Sequence, residues 1–510
     1  MPTRSRPTAS APLGALVALL LLPLVAAAQR PPAKELDRYV AQALRDFAAP
    51  GLALAIVKDD SVVYAKGYGV RELGKPAPVT ERTLFAIGST TKAFTAALLG
   101  MLVDEGKLRW DDPVTKYLPG FQLYDPWVTR ELTVRDLLTH RSGLERGDLL
   151  WWASPYDRAE VLRRIRFLKA KWSFRATYGY QNIMFLAAGQ VAAAAAGGAA
   201  GGTTWDDLMR NRILRPLGMT ATTTSVTTLP VAGDVATPYE LVDGRMTPVA
   251  WRNIDNIGPA GAINSSAREM AQWMRLQLGH GLYRGQRLLS TAAVDEMQAS
   301  QIVVPRDTVR QRLYPSEHFL SYGLGWVLRD YRGRKVVEHN GAIDGMRAIV
   351  ALVPEERLGV VVLTNFPRGL LNAGVAYRVI DAYLGAPPRD WSGLFLELTR
   401  RFEQRADSAR QKRAADRARD TQPSLALERY TGVYADTMYG SITVVMEGGH
   451  LVLKFGPNLT GDLEHWQHDT FRCVWRDRTA GDDFMTFTLD AQGRPAKLEY
   501  EELTAFVRTP

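Results

Sequence analysis

The feature that most constrains the fold is the division of strand-forming sequence into two distant blocks. Residues 51–70, GLALAIVKDDSVVYAKGYGV, hold two apolar, β-branched runs on either side of Asp59-Asp60-Ser61, the pattern of an antiparallel hairpin. Four further runs, YGLGWVLRD, KVVEHNG, MRAIVALVP and LGVVVLTNF, come only within residues 322–366 and are spaced for an antiparallel meander. Between the blocks, FAIGSTTKAFTAALLGMLVDEGKL predicts a long buried helix, and residues 105–320 mix helices with long loops. Hence one α+β domain is expected, its sheet joining the two ends of the segment. AAGQVAAAAAGGAAGGTTW at 187–205 is expected to be a helix running into a Gly/Ala loop. Beyond residue 386 the character changes. APPRDWSG leads into TRRFEQRADSARQKRAADRARD, a charged helical stretch, so 386–424 is expected to be a linker containing an exposed helix. Short alternating runs such as SITVVMEGG, HLVLKFG, TFRCVWR and FMTFTLD then predict a small antiparallel β-domain over 425–510, sandwich or barrel.

The N-terminus is an expected secretory signal peptide, residues 1–28. Arg4 and Arg6 form its basic region, LGALVALLLLPLVAAA its apolar region, and Ala26-Ala27-Ala28 precedes Gln29. The apolar run is short for a span, and no cysteine stands near the cleavage site to carry a lipid. An exported chain, periplasmic or secreted, with no stable membrane span after cleavage is the expectation; an uncleaved anchor is the alternative. Cys473 is the single cysteine, so no intrachain disulfide can form and the fold must stand on its core. A formal charge of +9 is mild for 510 residues, and no basic cluster is interleaved with aromatics, which argues against a nucleic-acid partner.

Ser89 and Lys92, in FAIGSTTKAF, lie three residues apart where the long helix begins. On a helix they would share a face, Ser89 at the end whose free N–H groups favour negative charge. A serine capping the helix would have the same geometry. One Ser-x-x-Lys match is expected by chance in a chain of this size, so its company decides. YQN at 180–182 sets a phenol and an amide two residues apart before another apolar helix, and EHNGAIDG at 338–345 follows a strand and ends in glycine. Singly, Tyr180 reads as a core aromatic and Asn182 as a helix cap.

In this order the three motifs resemble those of the serine β-lactamase and penicillin-binding-protein superfamily. The closer resemblance is to its branch of class C β-lactamases, D-Ala-D-Ala carboxypeptidases, D-aminopeptidases and β-lactamase-fold esterases. LTVRDLLTHRSGL, RILRPLGMTAT and GPAGAINSSAREMAQWM resemble segments of the same branch, which extends the likeness over about 35–385. YTGVY, YGSITVV and LEHWQHDTF resemble the lipocalin-like C-terminal domain often appended to such hydrolases. The resemblance implies an α+β, β-lactamase/transpeptidase-like domain over 29–385, an antiparallel sheet flanked by helices, followed by a small antiparallel all-β, barrel-like domain.

It also implies an enzyme. Ser89 would be the nucleophile, Lys92 its base with a pKa lowered by burial, Tyr180 the proton shuttle and Asn182 its helper. The backbone N–H groups of Ser89 and Ala342 would form the oxyanion hole, and His339, Asn340 and Gly341 would line the substrate site. No metal or cofactor is implied; the partner is a small-molecule or peptide substrate, and the oligomeric state is left open. His140 in LLTHRSGL reads as a loop-stabilising histidine, and His465 and His468 lack acidic or cysteine companions at metal spacing. Gly-x-Ser-x-Gly, Ser-Asp-Asn and Lys-Thr-Gly are all missing, which excludes the α/β-hydrolase elbow and makes class A β-lactamases a poor match. His339 stands where true class C β-lactamases carry lysine. With an ordinary pKa near 6.5, that histidine predicts better turnover of uncharged esters than of carboxylate-bearing β-lactams, and a gain on the latter as pH falls toward 6. The alternatives are a D-amino-acid peptidase or carboxypeptidase, a true class C β-lactamase, and a non-catalytic penicillin- or peptide-binding envelope protein.

Overall fold

The computed structural model describes residues 33–197, 202–230, 232–501 and 503–509, with Met1 and Thr3. The expected signal peptide and residues 198–201 of the Gly/Ala loop lie outside the described residues. Among those described, no helix is long and apolar enough to cross a membrane.

The two strand blocks meet in one antiparallel sheet. In chain order its strands are β1 (Gly51–Lys58), β2 (Ser61–Gly69), β3 (Ile302–Val303), β4 (Leu320–Tyr322), β5 (Val327–Tyr331), β6 (Arg334–Ile343), β7 (Met346–Val353) and β8 (Leu358–Thr364). They lie in the order β2-β1-β8-β7-β6-β5-β4-β3, with Leu52 opposite Thr364 where the early and late blocks join. The unbroken apolar run of β1 reflects burial on both faces rather than one. Leu52, Leu54 and Ile56 enter one core and Ala53, Ala55 and Val57 the other. The same division separates Ile349, Ala351 and Val353 from Ala348, Val350 and Leu352 on β7.

One face of the sheet is covered by α1 (Ala33–Phe47), α5 (Leu371–Tyr383) and the start of α6 (Trp391–Ala415). The other packs against α4 (Ala267–Leu278), behind which lie α2 (Thr91–Asp104) and α3 (Asn182–Ala195). Both α2 and α3 are apolar nearly all round, as helices buried within a domain must be.

Residues 386–424, expected as a linker with an exposed helix, are not wholly exposed. Trp391 and Phe395 in the first turns of α6 are buried, Trp391 stacks on Tyr314, and its indole N–H donates to Asp381 at 2.7 Å. The buried residues of α6 lie in those first turns, and its charged remainder stays in solvent. Beyond it, eight strands from β9 (Gly432–Asp436) and β10 (Gly440–Glu447) to the last (Thr504–Arg508) close into an antiparallel barrel, resolving the choice between sandwich and barrel. Its alternate residues point inward and fill it, among them Tyr434, Leu453, Phe471, Cys473, Trp475 and Phe487. The β9–β10 turn reaches the α+β domain: the Tyr156 hydroxyl donates to the Tyr439 carbonyl at 3.0 Å, and Arg164 donates to that of Met438 at 2.9 Å. Arg252 bridges Asp344, in the β6–β7 turn, to Asp477 of the barrel.

Candidate active site

Ser89 lies in a single 3₁₀ turn, Gly88–Thr90, immediately before α2. The capping alternative fails, because neither end residue of these helices makes a side-chain cap bond and the Ser89 hydroxyl is turned elsewhere. Its Oγ is 3.0 Å from Lys92 Nζ and accepts a hydrogen bond from the Tyr180 hydroxyl at 2.8 Å. Asn182 is likewise not the cap of α3. Gln181 caps it, accepting from the Ile183 N–H at 2.9 Å, and this frees the Asn182 amide to face the lysine.

Lys92 is completely buried, and its Nζ has three polar neighbours: Ser89 Oγ, Asn182 Oδ1 at 2.8 Å and the Ala260 carbonyl at 2.8 Å. Burial, reinforced by the Arg146 charge and opposed by Asp148, holds its pKa well below the ordinary lysine value. A neutral amine has two N–H donors and one lone pair. The two carbonyl oxygens can only accept, so they take the N–H groups and leave the lone pair aimed at Ser89 Oγ. Burial pushes Tyr180 up to about 12, so its hydroxyl stays protonated and donates.

The backbone around Ser89 explains two glycines. Gly88 has φ +52°, and a Cβ there would meet Ala342 N at 2.6 Å; a Cβ on Gly341 would stand 1.8 Å from the Ile87 carbonyl oxygen. Thus β6 and the serine turn touch backbone to backbone. The two-residue turn Asp344-Gly345 pairs Ile343 with Met346, and Ala342 opposite Arg347 is then a pair that exchanges no hydrogen bonds. The Ala342 N–H therefore points away from β7, toward the Ser89 turn, where it and the Ser89 N–H can receive one oxygen.

His339 is placed differently from its sequence expectation. It borders the cleft but is buried. Its Nδ1 lies 2.7 Å from the Asn340 carbonyl, to which it must donate, so Nε2 accepts from the Tyr322 hydroxyl at 2.9 Å. Burial pushes its pKa down to about 3. The predicted gain of charge near pH 6 is therefore excluded by desolvation. His140, at φ +55°, accepts the Gln181 N–H on Nδ1 at 3.0 Å and packs on the Tyr180 ring, which holds the 180–182 stretch in place. The cleft, about 350 Å³, is bordered by Ser89, Tyr180, Asn182 and Ala342 with apolar walls from Trp151, Ile254 and Leu370. Sequence reading gave no role to Ala260, Gln181, Tyr322 or the pair Arg146–Asp148: Gln181 lies inside YQN and Ala260 inside GPAGAINSSAREMAQWM, but neither residue type reveals its part.

A beta-lactamase family model matches residues 36–384, and a model for a domain of unknown function, DUF3471, matches 416–508. The chain is 31% identical over 432 residues to an unguisins hydrolase of Aspergillus campestris, covering 81% of this chain and 78% of that one. It is 29% identical over 326 residues to penicillin-binding protein 4 of Amycolatopsis lactamdurans, covering 62% of this chain and 81% of that one. Among solved structures, an octameric penicillin-binding protein homologue from Pyrococcus abyssi superposes with a TM-score of 0.61 at 23% identity, covering 94% of this chain and 100% of that one. A D-stereospecific amidohydrolase from Streptomyces sp. does so with a TM-score of 0.55 at 23% identity, covering 70% and 100%. With two thirds of its length inside that family model and its fold shared with penicillin-binding relatives, the chain belongs to the beta-lactamase family and is a serine hydrolase.

Proposed function

We propose that the protein is an exported hydrolase that cleaves uncharged esters and amides, peptide amides included, through an acyl-Ser89 intermediate. The observation that carries this reading is the set of three neighbours around Lys92 Nζ, which leaves one lone pair directed at Ser89. The Ser89 proton passes to Lys92 as Oγ attacks the carbonyl carbon, and the new oxyanion is received by the N–H groups of Ser89 and Ala342. Lys92 returns the proton through Tyr180 to the departing alcohol or amine, and water then repeats the sequence on the acyl-enzyme. Acid–base help of this kind contributes about 10²–10⁴-fold, and each oxyanion donor about 3 kcal/mol.

A neutral His339 offers no cation to a substrate carboxylate, which favours uncharged substrates over penicillins and D-Ala-terminated peptides. The name of a D-stereospecific amidohydrolase supports amide substrates beside esters. The test is a panel of a p-nitrophenyl ester, a D-amino-acid amide and nitrocefin at pH 7.5. The ester or amide is expected to have the highest kcat/KM; nitrocefin in first place would overturn the substrate reading. Export rests on the sequence of residues 1–28, and N-terminal sequencing of the mature protein, expected to begin at Gln29, tests it.

A further inference from the structure

The lysine's lone pair is directed at Ser89 only while the Asn182 amide keeps its oxygen, not its nitrogen, toward Lys92. Within Asn182 itself nothing enforces this, since the two ends of the amide are nearly the same shape. The enforcement comes from the other end. Asn182 Nδ2 donates at 3.2 Å to Oδ1 of Asp148, a carboxylate that can only accept. The same oxygen accepts the Trp151 indole N–H at 2.8 Å, and Oδ2 is paired with the Arg146 guanidinium, which lies 5.1 Å from the centre of the Tyr180 ring. The loop is anchored on both sides. The Gln181 amide donates to the Glu145 carbonyl, and Gly147, at φ +60°, is backed by the Met438 methyl of the barrel turn.

From this geometry we infer that Asp148 is a positioning residue: it fixes the orientation of the Asn182 amide and thereby the direction in which Lys92 accepts a proton. If the amide flipped, its N–H would occupy the lysine lone pair, and a lysine N–H would turn to Ser89 Oγ in its place. The serine proton would then have no acceptor, although every group would still be present. The inference rests on Lys92 acting as the base.

Asp148→Asn removes the constraint with little change of shape, because an asparagine can present either a donor or an acceptor to Asn182. The experiment is a double-mutant cycle: kcat and KM for a p-nitrophenyl ester in wild type, Asp148→Asn, Asn182→Ala and the double variant, with circular dichroism and melting to verify folding. Asp148→Asn is expected to lower kcat about 10–100-fold with KM nearly unchanged, and to cost less than about 2-fold more once Asn182 is alanine. The acid limb of its pH profile is also expected to move to lower pH, since Asp148 is the charge that raises the Lys92 pKa. A slow Asn182→Ala enzyme beside a wild-type Asp148→Asn enzyme, or losses that simply add, would overturn the assignment alone. Wild-type rates in Asn182→Ala would overturn the lysine-base reading and the assignment with it.

Discussion

Replacing Lys92 by methionine should change how stability depends on pH, by an amount that follows from burial. In the unfolded chain a lysine ionises near pH 10.4, whereas in the folded protein its pKa lies well below the ordinary value because the amine is desolvated. Between those two values the unfolded chain holds one proton more than the native one. Stability must therefore rise with pH through that window, by about 1.4 kcal/mol per pH unit, and fall as pH drops toward the folded pKa. The gain tapers as pH approaches 10.4, where the unfolded lysine also loses its proton. Lys92→Met has no such proton, so the difference between the two proteins isolates it. Of the neighbours, His140 and His339 are pushed down and Tyr180 is pushed up to about 12, so none of these changes charge within the window. Urea unfolding followed by tryptophan fluorescence at pH 8, 9 and 10 supplies the numbers. Parallel stability curves for the two proteins would mean that Lys92 is charged in the fold, and the lone-pair argument would fail with it.

Gly341→Ala places a methyl where the Ile87 carbonyl stands at 1.8 Å, which must separate β6 from the Ser89 turn; kcat is expected to fall about 10²–10³-fold, the worth of one oxyanion donor, while the fold persists. With His339 at about 3, the ratio of ester to penicillin turnover should stay flat from pH 7.5 to 6, and a ratio that shifts toward the penicillin would refute the buried, doubly bonded histidine. Truncation after residue 385 removes Trp391 and Phe395 from the core and is expected to destabilise the domain, read as a lowered Tm. Truncation after residue 415 keeps them; that protein is expected to fold and be acylated, with kcat/KM reduced because the loop bearing Asp148 loses the Met438 contact, and full activity would show that contact to be idle.

The parts legible in the sequence are those in which chemistry repeats locally. The strand blocks announced themselves by β-branched runs, and Ser89, Lys92, Tyr180 and Asn182 by fixed spacings at helix starts; the structure brings these four side chains together. What escaped is set by tertiary context. Asp148 is one carboxylate among many until the loop folds over Asn182, and Ala260 acts through a backbone carbonyl that no residue type reveals. His339 misled because its ordinary pKa was carried into a site where burial dominates. The charge of α6 concealed a first turn that belongs to the core, since composition averaged over the stretch hides two aromatic anchors.

The central claim is that Ser89 carries the acyl group, and the most direct measurement is the intact mass and peptide map of protein treated with a fluorophosphonate probe and, separately, with a slowly deacylating ester. One adduct per chain is expected, on the peptide containing Ser89, and none on folded Ser89→Ala protein. Labelling of that variant to the same extent, or an adduct mapped to any other residue, would contradict the account.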